Sequence, residues 1–99
     1  MTQSVGWRDL LEVNAPELIQ VASGVQDHTL RDGALDHKTK TLMTMLCDAL
    51  LGHDGGVTTI ANRAREAGAS EEEIIETVGV AFLMGGLPAL VTASNAFRK

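Results

Sequence analysis

Apolar positions recur along this chain at helical spacing, between clear stop signals. Asn14-Ala15-Pro16-Glu17 offers a cap, a helix-starting proline and an acidic first turn. Leu18, Ile19, Ala22 and Val25 then share one face. Gly33 breaks the pattern after Leu30, and Asp36 caps a second helix with Leu42, Met43, Leu46, Ala49 and Leu50 on one side, ended by Gly52. A third helix starts near Asp54 and Gly55, carries Val57, Ile60, Ala61, Ala64 and Ala67, and closes at Gly68. Ser70-Glu71-Glu72-Glu73 reads as a capping box, followed by Ile74, Ile75, Val78, Ala81 and Phe82 as its apolar face. Gly85-Gly86 interrupts the pattern, and Pro88 opens a last helix carrying Leu90, Val91, Ala93 and Phe97. No segment sustains strand alternation. Thr39, Thr41 and Thr44 are β-branched but lie within a 3.6-residue apolar period. The pattern predicts an all-α fold, one domain over residues 1–99, with short connections that set successive long helices antiparallel.

Composition adds a prediction about assembly. The chain has 99 residues and is 44% hydrophobic, much apolar surface for a small interior. Part of it is expected to be buried between subunits, with Trp7 against a neighbouring copy and Met43, Met45 and Met84 filling the core. The formal net charge is −5, from 8 Lys+Arg and 13 Asp+Glu. An acidic chain with no basic stripe repels phosphate, so no nucleic-acid partner is expected. Val78 to Leu90, the longest apolar stretch, holds two glycines and a proline and is too short for a membrane span, so no membrane partner is expected. The opening residues lack a basic-then-apolar leader pattern, which predicts a cytoplasmic protein. Cys47 is the only cysteine, so two-thiol redox chemistry within one subunit is excluded. Its mid-helix setting predicts a small core residue. His28, His37 and His53 are too far apart for a metal motif, and Glu71, Glu72, Glu73 and Glu76 read as a solvated face at a helix N-terminus. No metal is expected. No glycine-rich cofactor fingerprint follows a strand, and no cofactor is expected.

Four stretches in order carry a family resemblance: Pro16-Glu17-Leu18, Gly33-Ala34-Leu35-Asp36-His37-Lys38-Thr39-Lys40, Arg65-Glu66-Ala67-Gly68-Ala69-Ser70-Glu71-Glu72-Glu73-Ile74, and Gly85-Gly86-Leu87-Pro88-Ala89-Leu90. Together they resemble the carboxymuconolactone decarboxylase and alkylhydroperoxidase D-like family over about four-fifths of the chain. The resemblance implies an alkylhydroperoxidase D-like helical bundle whose central helical hairpin carries the site, and homo-oligomers, trimers or hexamers. The positions matching the peroxidase branch's glutamate, two cysteines and histidine are Thr41, His53, Gly56 and Ile60. Those matching the decarboxylase branch's His-Glu and later histidine are Gly55, Gly56 and Ile60. Both known catalytic patterns are therefore missing from this chain.

The hairpin keeps His53 and Asp54. A histidine before a helix start lies where backbone N–H groups favour anions, and it can exchange protons near neutral pH. Gly55 and Gly56 leave that backbone open to a small carboxylate. Asp54 is expected to orient the imidazole or cap the helix, Arg63 to clamp a carboxylate or pair with Glu66, and Thr41 to face the hairpin or back-bond within its helix. The function expected first is a cofactor-free lyase or decarboxylase acting on a small carboxylated, lactone-type molecule. The alternatives are a non-catalytic oligomeric binding or scaffold protein, and a one-cysteine peroxidase through Cys47 with an external thiol.

Overall fold

The computed structural model describes residues 6–98; residues 1–5, part of the stretch read for a leader, lie outside it. The described residues form five α-helices and a short 3₁₀ turn, with no strand among them. They fall into two compact units, Met1–Arg31 and Asp32–Lys99.

The first unit holds α1 (Trp7–Asn14) and α2 (Pro16–Leu30). Ala15 separates them with non-helical backbone, as expected of a residue preceding proline. Helix α1 is absent from the sequence reading: it is two turns long, and Gly6 at its N-cap supplies no side-chain acceptor. The Arg8 guanidinium lies over the Trp7 ring, 4.9 Å from its centroid, and also donates to Ser23 Oγ at 3.4 Å.

The second unit packs α3 (His37–Leu51), α4 (Asp54–Glu66), α5 (Glu71–Ala93) and the 3₁₀ turn Ser94–Phe97 around one core. That core joins Met45 and Ala49 of α3, Val57, Ala61 and Ala64 of α4, and Ile74, Val78 and Ala81 of α5. Alanines dominate it, so the three helices approach closely. The predicted stops hold. Asp36 caps α3 by accepting from Thr39 N–H at 2.7 Å. The Ser70–Glu73 capping box is complete: Ser70 Oγ accepts from Glu73 N–H at 3.1 Å, and the Glu73 carboxylate accepts from Ser70 N–H at 2.8 Å. Gly86 breaks α5 with φ 73° and ψ −162°, a backbone state open essentially to glycine alone.

Two placements correct the sequence reading. On α3 the buried stripe is Thr41, Met45 and Ala49, flanked by Leu42 and Leu46. Met43, Cys47 and Leu50 lie outside, so Cys47 is an exposed thiol and not a core residue. Met84 is likewise exposed, leaving Met45 as the core methionine of the three. Glu71–Phe97 forms 27 helical residues and holds an 18-residue window of mean hydropathy 1.9, long and apolar enough to cross a membrane by length and composition alone. The apolar stretch Val78 to Leu90 lies inside this segment. The non-helical backbone at Gly86 interrupts this segment.

The helix caps make acid stability measurable. Glu73 is held below its ordinary value of 4.5, first by the Ser70 backbone N–H and next by Lys38, whose ammonium lies 2.9 Å away. Asp36 is held below 3.8 by Thr39, through side-chain and then backbone hydrogen bonds. A carboxylate depressed in the folded state stabilises the fold above its unfolded value and loses that contribution as pH falls through the folded one. The thermal midpoint is therefore expected to decline on acidification below the ordinary glutamate value of 4.5. Glu73→Gln should flatten part of that decline. An identical pH profile for the variant would contradict this assignment.

Candidate functional site

The α3–α4 junction is built by one glycine. Gly52 takes the left-handed conformation, φ 79° and ψ 24°. Its N–H donates to Ala49 C=O at 3.4 Å, and His53 N–H donates to Asp48 C=O at 2.9 Å. These two bonds form the Schellman closure of a helix. The closure folds residue 53 back onto residue 48, and their side chains meet: His53 Nδ1 lies 2.9 Å from Asp48 Oδ1. The imidazole is 56% exposed and the carboxylate only 20%. Asp48 thus engages Nδ1 of a ring that is itself more than half exposed. Because Nδ1 is engaged, Nε2 is the ring atom available to exchange a proton.

His53 also stands at the N-cap of α4. The first N–H groups of a helix have no intrahelical partner and carry its positive end. Gly55 and Gly56 belong to this first turn as helical residues, not to a loop. Asp54 is exposed in the same turn, and no side chain caps the helix there. Imidazole orientation therefore falls to Asp48 and not to Asp54. Asp48 was missed, although a signal existed: it is the one acid within the apolar run Leu42–Leu51, five positions before the histidine and across a helix-ending glycine.

The other candidates do not gather around His53. Thr41 is buried on α3, two turns before Asp48, and its hydroxyl donates to His37 C=O at 2.8 Å. Its hydrogen-bonding capacity as a donor is used within its own helix. Arg63 is exposed on α4. At 1.5 Å per residue, its position lies about 15 Å along the axis from His53. A small acid on His53 is out of its reach within one chain.

The arginine that is engaged is Arg65. Its Nε and Nη2 grip Glu71 at 2.8 and 3.0 Å, Nη2 also reaches Ala96 C=O at 2.9 Å, and Nη1 donates to Asn62 Oδ1 at 2.9 Å. Glu71 raises its already high pKa, so it stays charged. An open groove of about 530 Å³ runs beside it, lined by Asn62, Arg65, Glu71, Phe97 and Arg98. Arg65 spends its donors inside the fold, tying the 3₁₀ turn to α4 and α5. Among the described residues, no three His, Cys, Asp or Glu side chains are grouped to hold a metal ion.

The architecture is that of a small all-α protein in which a helical hairpin, α3 and α4, packs against α5. The chain belongs to the carboxymuconolactone decarboxylase family, whose family model matches residues 16–99. It is similar to the crystal structure of apo-lpg0406, a carboxymuconolactone decarboxylase family protein from Legionella pneumophila. The TM-score is 0.82 and the identity 34%, over 87% of this chain and 77% of that one. It is also 26% identical over 91 residues to the uncharacterized protein MJ1511 of Methanocaldococcus jannaschii, covering 92% of this chain and 85% of that protein.

Proposed function

We propose that this protein is a cofactor-free lyase that decarboxylates a small carboxylated, lactone-type molecule, with His53 as the proton-transfer residue. The observation that carries the reading is the 2.9 Å contact of His53 Nδ1 with Asp48 at the N-cap of α4, which leaves Nε2 as the nitrogen not engaged by Asp48. The substrate's carboxylate would lie near the α4 N-terminus, where the helix dipole and first-turn N–H groups attract an anion. Breaking the bond to CO₂ leaves its electron pair on the substrate carbon, delocalised toward the lactone carbonyl. Protonated Nε2 then delivers the proton that completes that carbon. The carboxyl carbon leaves as CO₂, and solvent returns the proton to the ring.

The site is proposed to work within a homo-oligomer, a trimer or hexamer. Support comes from the apolar surface that this chain leaves exposed: Met43 and Leu50 on α3, and Ile75, Phe82, Leu83 and Leu87 on α5. Such surface on a small domain marks an association face. Cys47 lies within the α3 stripe between Met43 and Leu50, so association would cover it. That disfavours a one-cysteine peroxidase, although the thiol is exposed in the single chain.

The test is turnover of carboxymuconolactone and related lactone acids, followed by CO₂ release. Release above the uncatalysed rate supports the reading. No release from any member of the panel shifts the assignment to the second reading, an oligomeric binding or scaffold protein, which the same exposed apolar faces favour.

A further inference from the structure

We propose that Asp48 is the positioning residue of His53, and that the missing side chain at Gly56 is what admits it. A Cβ added at Gly56 would lie 2.8 Å from Asp48 Oδ2, 3.0 Å from its Cγ and 3.2 Å from its Oδ1. The carboxylate therefore occupies the space that any side chain at position 56 would need. At Gly55, one residue earlier, a Cβ would meet nothing within 4 Å. Both glycines lie in the first turn of α4, and neither has a positive φ. Backbone conformation explains neither glycine, and helix propensity favours alanine over both. Space explains Gly56 alone.

The two features are mutually exclusive. With a side chain at position 56, the Asp48 carboxylate must move, and its bond to His53 Nδ1 is lost or bent. Asp48 has a short side chain that can swing aside, so the fold survives such a change while the pairing does not. With glycine at 56, the carboxylate sits against the α4 backbone and accepts from Nδ1–H, which fixes the ring in the tautomer whose Nε2 is open. The backbone bond from His53 N–H to Asp48 C=O, 2.9 Å, keeps both residues in register for that contact. The catalytic value of this arrangement rests on the function proposed above. The state of the ring does not.

The experiment reads the ring nitrogens of His53 by ¹⁵N NMR, at a pH where the imidazole is neutral, together with thermal unfolding. The proteins compared are the full chain, Gly55→Ala, Gly56→Ala, Asp48→Ala and the Asp48→Ala/Gly56→Ala double variant. The parent chain is expected to show a single Nδ1–H tautomer. Gly55→Ala should keep that spectrum and raise the midpoint. Gly56→Ala and Asp48→Ala should both shift the His53 signals to the mixed tautomers of a free imidazole. Gly56→Ala should raise the midpoint in the Asp48→Ala background by about as much as Gly55→Ala does in the parent, and by less where Asp48 is present. Wild-type ring signals in Gly56→Ala, or in Asp48→Ala, overturn the proposal, as does an equal effect of Gly56→Ala in both backgrounds. If Gly56→Ala does not fold alone, the double variant against Asp48→Ala decides the steric claim, and Asp48→Ala decides the ring state. A changed ring state in a protein whose turnover ignores His53→Ala would retire the lyase reading and leave this pairing standing.

Discussion

His53→Ala is expected to lower kcat by about 10²- to 10⁴-fold on a lactone acid that the parent protein decarboxylates, the range for losing a positioned acid–base group. KM should change far less, because the ring moves a proton in the transition state and adds little to ground-state binding. The imidazole is 56% exposed, so removing it leaves no buried cavity and the melting midpoint should hold. Those two readouts together separate a chemical role from a structural one. The neighbouring Asp54→Ala should leave kcat within a few-fold, since it is Asp48 that contacts the ring, at 2.9 Å. A large loss in Asp54→Ala with none in His53→Ala would place the proton transfer elsewhere.

Ile74→Ala is expected to cost about 2–5 kcal/mol of stability, the range for truncating a fully buried aliphatic side chain. The upper part of that range fits this core. Ile74 is 0% exposed and shares its cluster largely with alanines, which have no flexible side chains to move into the vacated space. For a domain of this size the midpoint should fall by roughly 15 °C or more. Ile75, the next residue, points the other way and is exposed in the single chain. In dilute protein, Ile75→Ala should shift stability by about 0.5 kcal/mol or less. If copies associate through this face, that substitution instead acts at high protein concentration and fades on dilution. Chemical unfolding at two protein concentrations, on both variants, distinguishes interior packing from packing between copies. An Ile74→Ala midpoint near that of the parent would contradict the core described here.

The helix boundaries were readable because their signals are local. Asp36 before α3, Gly52 after it, Gly68 after α4 and the Ser70–Glu73 box each act on backbone groups within five residues. The burial pattern was less readable. Leu42, Met43, Leu46 and Leu50 are all apolar, and a helix apolar over so wide an arc does not say which side faces inward. Neighbours settle it: α4 and α5 press small alanines against the Met45 side of α3, and Met43, Cys47 and Leu50 remain outside. Helix α1 escaped notice for the opposite reason, having only two turns and no capping side chain to announce it.

The candidate site divides the same way. His53 was legible as a histidine between a helix-ending glycine and a helix start, because that is a statement about adjacent residues. Its partner was not. Asp54 is nearer in sequence, but Asp48 is nearer in space, since the left-handed Gly52 turns the chain back on itself. Arg63 and Arg65 are two positions apart on one helix and look equivalent in the sequence. One stays exposed, while the other is tied to Glu71, Asn62 and Ala96. Local hydrogen-bond chemistry, written into short runs of residues, was enough to define the all-helical class, the bounds of α3 and α4 and the start of α5. The separate last helix expected from Pro88 is instead the end of α5, which runs past the break at Gly86 to Ala93, with Phe97 in the 3₁₀ turn. Which side chains meet was decided by the three-dimensional course of the turns between helices: the left-handed Gly52 brought Asp48 to His53 and beside Gly56, the α4–α5 connection brought Glu71 to Arg65, and packing of the 3₁₀ turn against α4 brought Ala96 C=O to the same arginine.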